Sequence, residues 1–100
     1  MRWMETIKIQ SAANKKQIIE NNLIALSRDI QKDPGCQGLM KIMVSSHALV
    51  PGLYEMSLFW DTDDFQPGGS PLGMNLSQNL KTFGIVDHSL WLETNYEGRR

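Results

Sequence analysis

The sequence contains a single cysteine, Cys36, and has no large excess of charge of either sign. One cysteine cannot form a disulfide within the chain, which agrees with a reducing compartment. Ten basic residues stand against eleven acidic ones, and the net charge of -1 provides no basic surface of the kind that attracts nucleic acid. We therefore expect no nucleic-acid partner.

Long apolar stretches are also missing. No apolar run approaches the roughly 20 residues that cross a membrane, although 41% of the residues are hydrophobic. The first nine residues carry charges where a signal peptide would be apolar. These features predict a soluble cytoplasmic protein without a membrane partner, folded as a single domain over residues 1–100.

Hydrophobic periodicity predicts four strands and two helices. Alternating side chains, typical of strands, occupy residues 6–10, 39–45, 53–60 and 86–93. Two stripes at helical spacing mark the helices: Ile19, Leu23, Leu26 and Ile30, then Leu72, Leu76, Leu80 and Phe83. Residues 14–17 can form a capping box for the first helix, and Ser70 and Pro71 suit the start of the second.

The order β-α-β-β-α-β predicts an α+β, ferredoxin-like fold with two helices on one face of a four-stranded antiparallel sheet. In the second strand we expect Met40, Ile42 and Val44 to face the helices. The opposite face then carries several large apolar side chains, namely Leu39, Met43, Leu53, Phe59 and Trp91. Such a surface is too apolar to leave in water, so we expect a homodimer that packs sheet face against sheet face.

Two motifs give the chain a family resemblance. Asp33-Pro34-Gly35-Cys36 forms a turn after the first helix, and Leu58-Phe59-Trp60-Asp61 closes the third strand on a tryptophan. With this order of elements, the chain resembles the antibiotic biosynthesis monooxygenase (ABM)-like proteins of the dimeric α/β-barrel superfamily over approximately its whole length. The resemblance implies a homodimeric α/β barrel. Known members include cofactor-independent oxygenases of aromatic polyketides, haem-degrading enzymes and isomerases of small signalling molecules.

The chain departs from the oxygenase members at two places. Those members often carry an asparagine before the tryptophan on the same strand face, where this chain has Leu58 and Met56. Many relatives also carry a histidine on the second helix, and residues 70–83 contain none. No flavin, haem or metal motif is present, so the sequence implies no cofactor.

The candidate site lies between sheet and helices, where Tyr54, Trp60 and His88 are expected to share one face of the sheet. Trp60 would stack on a flat aromatic substrate, and His88 would act as general base because imidazole changes protonation near neutral pH. We assign catalytic roles to His88 and Trp60, and substrate binding to Tyr54, Met56, Trp60 and Leu76. The alternative is an ordinary core in which each polar tip finds one hydrogen-bond partner.

Other candidates have simpler interpretations. Cys36 has no adjacent base in the sequence and is interpreted as a packing residue, and His47 as an exposed residue of a hairpin turn. Asp61 opens a run that resembles a calcium loop, but Gln66 and Leu72 stand where glycine and glutamate are needed. We therefore predict no metal site.

These observations predict an ABM-like small-molecule-binding protein that acts as a cofactor-independent monooxygenase on an aromatic or quinol substrate. Two alternatives stay open: a non-enzymatic dimeric ligand-binding or structural protein, and an isomerase of a small metabolite. RNA-recognition domains share the same order of elements, but Glu55 stands in the strand that would stack on bases. The pI of 6.1 also disfavours RNA binding.

Overall fold

The computed structural model describes residues 1–33 and 36–94, and it confirms the predicted order of elements. The elements are β1 (Arg2–Ser11), a short 3-10 turn (Ala13–Lys15), α1 (Lys16–Gln31), β2 (Leu39–Ser46), β3 (Leu53–Asp61), α2 (Pro71–Leu80) and β4 (Gly84–Leu92). The four strands form one antiparallel sheet in the order β2-β3-β1-β4. This is the ferredoxin-like arrangement.

The core lies between one face of the sheet and the two helices. Helix α1 packs on β2, whereas α2 packs on β1 and β4. Both predicted helical stripes are confirmed, because Ile19, Leu23 and Ile30 of α1 and Leu76 and Leu80 of α2 are buried. The sheet contributes a buried row from β1 and β3, made of Trp3, Ile7, Ile9, Tyr54, Met56, Leu58 and Trp60.

The two helices begin in different ways. Ser70 caps α2 as predicted: its side chain accepts a hydrogen bond from the Gly73 N–H, and Pro71 occupies the first turn. The capping box predicted for α1 is wrong, because Asn14 lies in the 3-10 turn and Lys15 at the N-cap makes no side-chain cap. The stripe of α1 against the sheet therefore stabilises this helix without a polar cap.

A β-bulge changes the predicted faces of β2. Leu39 lies opposite Trp60 and Lys41 lies opposite Phe59, so Met40 is an extra residue between two paired positions. Leu39 consequently packs against the core, whereas the Met40 side chain is 58% exposed. The prediction that Met40 faces the helices, and Leu39 the opposite side, is therefore wrong.

The sheet face away from the helices, here called the open face, has no covering element among the described residues. Its large apolar side chains are Met4, Met40, Met43, Leu53, Phe59, Ile85 and Trp91. The Trp91 side chain is 56% exposed, although its Nε1 donates to the Thr6 hydroxyl at 3.2 Å. The apolar second face predicted from the sequence is present with a slightly different membership.

Pro34 and Gly35, the centre of the predicted turn, lie outside the described residues, and so does the chain after residue 94. Before them α1 ends at Gln31, and after them β2 begins at Leu39. Within the described ranges, no helix is both long and apolar enough to cross a membrane.

We expect Leu23→Ala to destabilise the fold by about 2–5 kcal/mol, because it removes buried methyl groups and leaves a cavity between α1 and the sheet. The Leu23 side chain has no exposed surface. Urea denaturation followed by circular dichroism measures the change in unfolding free energy.

Leu49→Ala is the matched control, because the same side chain is 86% exposed at the β2–β3 hairpin. Its effect should stay within about 0.5 kcal/mol. Equal losses for the two variants would contradict the placement of the core on the α1 side of the sheet.

Candidate functional site

A buried carboxylate, Glu5, lies at the centre of the most polar region of the interior. It projects from β1 toward the helices, on the same face as Trp3 and Ile7, and has no exposed surface. A charged group removed from water is strongly destabilising unless hydrogen bonds replace its hydration. Glu5 is not among the residues predicted from the sequence to form the site.

Four hydrogen bonds satisfy the Glu5 carboxylate. Oε1 accepts from Trp60 Nε1 at 2.9 Å and from the Ser70 hydroxyl. Oε2 accepts from the Ser70 backbone N–H at 3.1 Å and contacts His88 Nε2 at 2.8 Å. Three elements around β1 thus converge on one side chain: the end of β3, the start of α2 and the middle of β4. A carboxylate has about four lone-pair sites, so these four donors occupy all of them.

The contact with Glu5 fixes the orientation of the His88 ring. A carboxylate oxygen can only accept, so Nε2 carries a proton, and in the neutral imidazole the free lone pair is then on Nδ1. Nδ1 has no hydrogen-bond partner among the residues that the structure describes, and it is not one of their buried atoms. A carboxylate that holds one imidazole nitrogen and leaves the other accessible is the arrangement that prepares a histidine to accept a proton.

Two glycines make room for the carboxylate. A Cβ at Gly73, in the first turn of α2, would overlap Oε2 of Glu5. Gly69 has φ of +102°, and a Cβ there would lie 2.5 Å from His88 Cε1 and 3.0 Å from Glu5 Oε2. The loop before α2 and the first turn of the helix can approach β1 and β4 this closely only without side chains.

A cleft of about 270 Å³ opens beside this cluster, on the helix side of the sheet. We call it the tryptophan cleft; its lining includes Trp3, Cys36, Trp60, Gln66, Ser70 and Leu72. Trp3 and Trp60 stack with ring centroids 5.4 Å apart and planes 15° apart, and Phe65 meets the Trp3 ring edge-on at 5.2 Å. The cleft therefore combines aromatic walls with the hydroxyl-bearing residue that contacts Glu5.

The structure brings together the two residues predicted to be catalytic. Trp60 and His88 both bind Glu5, on different oxygens. Only Trp60 lines the tryptophan cleft, because His88 lies on the far side of the carboxylate. The partner that orients His88, which the sequence did not reveal, is Glu5.

The other predicted binding residues lie elsewhere in the core. The Tyr54 hydroxyl donates to Glu20 of α1 at 3.2 Å, and burial, followed by the Glu20 charge, raises the pKa of this phenol. Met56 and Leu76 pack among apolar side chains, with 0% and 4% exposure. None of the three lines the tryptophan cleft.

The surroundings of Cys36 agree with its interpretation as a packing residue, and those of His47 with its interpretation as an exposed residue of a hairpin turn. Burial, and then the charge of Asp33, raises the pKa of the Cys36 thiol, which disfavours the nucleophilic thiolate. His47 lies in the exposed β2–β3 hairpin, where Nδ1 accepts from the N–H groups of Leu49 and Val50 at 3.0 Å each. Both residues thus have structural contacts that need no ligand.

The strand periodicity could have identified Glu5. Strand β1 extends from Arg2 to Ser11, four residues further toward the N-terminus than predicted. Continuing the alternation of Ile9 and Ile7 backward places Glu5 on the helix-facing side. A charge at such a position indicates a buried polar site.

Comparisons with solved structures identify the fold. A protein from Deinococcus radiodurans, assigned provisionally to the antibiotic biosynthesis monooxygenases, aligns with a TM-score of 0.72 at 12% identity over 98% of each chain. Rv0793 from Mycobacterium tuberculosis aligns with a TM-score of 0.72 at 11% identity, over 98% of this chain and 100% of its own. SnoaB, a cofactor-independent oxygenase from Streptomyces nogalater, aligns in a mutant form with a TM-score of 0.60 at 13% identity over 95% of each chain.

The resemblance deduced from the sequence is therefore confirmed at the level of the fold, which is that of the ABM proteins. No family model matches the sequence, and no curated protein matches it significantly. Identities of 11–13% establish a common architecture and leave the chemistry of the site to be argued from its residues.

We expect Gly73→Ala to destabilise the protein by about 1–3 kcal/mol, because the new methyl group would displace the Glu5 carboxylate from its donors. Alanine is a better helix former than glycine, so helix propensity alone predicts that the substitution stabilises the protein. The unfolding free energy from urea denaturation decides between the two signs.

Gly68→Ala is the matched control, since a Cβ at Gly68 meets no atom within 4 Å. It should be neutral or slightly stabilising. A Gly73→Ala variant that is as stable as the control would show that α2 does not need close approach to Glu5.

Proposed function

We propose that this protein binds a small, flat aromatic molecule in the tryptophan cleft and acts on it as a cofactor-independent monooxygenase. The observation that carries the proposal is the position of the cleft, directly beside the buried cluster of Glu5, Trp60, Ser70 and His88. The ABM fold supports it, because SnoaB, which has this architecture, is a cofactor-independent oxygenase.

The walls of the cleft favour a planar ligand. The stacked indoles of Trp3 and Trp60 belong to its lining, and Leu72 adds an aliphatic side chain. Aromatic rings gain about 0.5–1.5 kcal/mol from stacking or edge contacts, beyond the burial of their surface. A volume of about 270 Å³ suits a molecule of one or two rings.

The proposed reaction converts a phenolic ring into a quinone. The hydroxyl loses its proton, and the ring carbon para to it, now rich in electrons, bonds to O₂. The peroxide formed on that carbon takes up a proton and loses water together with the ring hydrogen, leaving a second carbonyl. One oxygen atom enters the product and the other leaves as water, so the ring supplies all the electrons that reduce O₂.

Proton handling is the role we propose for the Glu5–His88 pair. Glu5 holds Nε2–H, so that Nδ1 can accept and return protons. Because His88 does not line the tryptophan cleft, the proton lost by the ligand hydroxyl would reach Nδ1 through a water molecule, and the peroxide would take up a proton by the same route. Trp60 would position the aromatic ring of the ligand. Its own indole is held in place, because Nε1 donates to Glu5 and the indole stacks on Trp3.

A non-enzymatic binding protein is the second candidate. It is favoured by the position of His88, which lies behind Glu5 and does not line the tryptophan cleft. In that case the polar cluster serves to hold α2 against the sheet, and the cleft binds an aromatic molecule without changing it.

Oxygen uptake distinguishes the two candidates. With 1-naphthol as substrate, we expect one O₂ to be consumed for each quinone formed. Added catalase should return no O₂, because the reaction releases no hydrogen peroxide. His88→Ala should lower the rate by about 10²-fold or more, because it removes the general base. Trp60→Phe should lower it by at least about tenfold, since it removes the donor that fixes the ring.

Trp91→Phe is the matched tryptophan control, because Trp91 lies on the open face away from Glu5, and its rate should equal that of the wild type. Binding of 1-naphthol without oxygen uptake would contradict the enzymatic proposal and favour the binding protein. Uptake unchanged in His88→Ala would contradict the role of His88.

We also propose that the protein is a homodimer whose subunits pack through their open faces. The open face is concave at one end, where β1 and β2 begin and β3 and β4 end, with a volume of about 360 Å³ lined by residues that include Met4, Met40, Phe59 and Trp91. Large exposed apolar surfaces of this kind occur mainly at interaction sites.

The charges of the open face favour a second copy of the chain as its partner. Arg2, Lys8 and Lys41 are basic, whereas Glu55, Asp61 and Asp87 are acidic. A face with balanced charges of both signs can pair with itself across a two-fold axis without like-charge repulsion.

Light scattering at micromolar concentration should give twice the chain mass of 11.4 kDa. Met43→Glu should shift the protein to monomer, because it places a charge in the proposed interface. Leu49→Glu, at the exposed hairpin, is the matched control and should remain dimeric. A monomeric wild type would contradict the proposal.

A further inference from the structure

The Ser70 hydroxyl has one hydrogen-bonding capacity left. A serine hydroxyl has one proton to donate and two lone pairs that accept. Its proton is donated to Glu5 Oε1, and one lone pair accepts from the Gly73 N–H at 2.9 Å. The second lone pair has no partner among the described residues.

Ser70 also lies where a bound ligand could reach it. It lines the tryptophan cleft together with Trp3 and Trp60, and it is 6% exposed. The Trp60 N–H is already used by Glu5, and an indole nitrogen cannot accept a hydrogen bond. Among the described residues that line the cleft, Gln37, Thr62, Asp64 and Gln66 also carry acceptor oxygens, but Ser70 is the one whose hydroxyl donates to the buried Glu5 carboxylate.

Glu5 makes this acceptor stronger. A hydroxyl that donates to a charged carboxylate gains negative charge on its oxygen, and hydrogen bonds arranged in series strengthen one another. A ligand group that donates a hydrogen bond suits such an acceptor.

We infer that Ser70 recognises a hydroxyl group on the aromatic ligand, which donates to the free lone pair of Ser70 Oγ while Ser70 donates to Glu5. This inference rests on the proposed function and names the residue by which the cleft distinguishes a phenol or quinol from a quinone, an ether or a plain hydrocarbon. Ser70 is then the member of the cluster that contacts the ligand, and Glu5 acts through it as a positioning residue.

A matched pair of probes tests the inference by isothermal titration calorimetry: 4-nitrophenol, which has the hydroxyl, and 4-nitroanisole, in which a methyl ether replaces it. The measurement is made at acidic pH, where the free phenol is neutral. We expect the wild type to prefer 4-nitrophenol by roughly five- to tenfold, as expected for one neutral hydrogen bond.

Two variants of Ser70 separate recognition from folding. Ser70→Gly removes the hydroxyl but keeps the backbone N–H and a good helix N-cap, so the fold should persist. It should abolish the preference for 4-nitrophenol and leave the binding of 4-nitroanisole within about twofold. Ser70→Thr keeps the hydroxyl and should restore the preference.

Each other outcome contradicts the inference in a recognisable way. Equal wild-type binding of both probes, or a preference that survives in Ser70→Gly, would overturn the role of Ser70 and leave the cleft as an aromatic site. Equal loss of both probes in Ser70→Gly would show that Ser70 is only structural. If the wild type bound neither probe, the proposed function would fail as well.

Discussion

The buried Glu5 carboxylate is the constraint on which the arrangement of this protein depends. A charge without exposed surface persists in a protein interior only if donors replace its hydration. Here the donors come from Trp60 at the end of β3, Ser70 at the start of α2 and His88 in β4. The position of the second helix is therefore fixed by polar contacts at its first turn as well as by the apolar packing of its later residues.

The same constraint explains the composition of the loop before α2. Backbone and side chain of Ser70 both bind the carboxylate, which brings the loop close to β1. Glycine at positions 69 and 73 allows this approach, whereas a Cβ at either position would meet Glu5 or His88. The segment Gln66-Pro67-Gly68-Gly69 has the composition of a flexible loop. Its last residue, Gly69, is nevertheless required for close packing against His88 and Glu5.

The sequence predicts the architecture well because periodicity reports burial directly. The helical stripes through Leu23 and Leu76, and the alternation in β3, depend only on local spacing. The bulge at Met40 depends on strand pairing, which local spacing does not record. The alternation of β1, continued backward, places Glu5 on the buried face, but its donors could not be predicted, because they lie 55 to 83 residues away along the chain and only the folded sheet brings them together.

Stability alone does not require the cluster around Glu5. An apolar side chain of similar size at position 5, with small residues around it, could pack this region as stably as a buried charge does. What an apolar core could not provide is an oriented imidazole on one side of the carboxylate and a polarised hydroxyl on the other. Because that hydroxyl belongs to a residue that lines the tryptophan cleft, the proposed recognition of a ligand gives the buried Glu5 a role beyond folding.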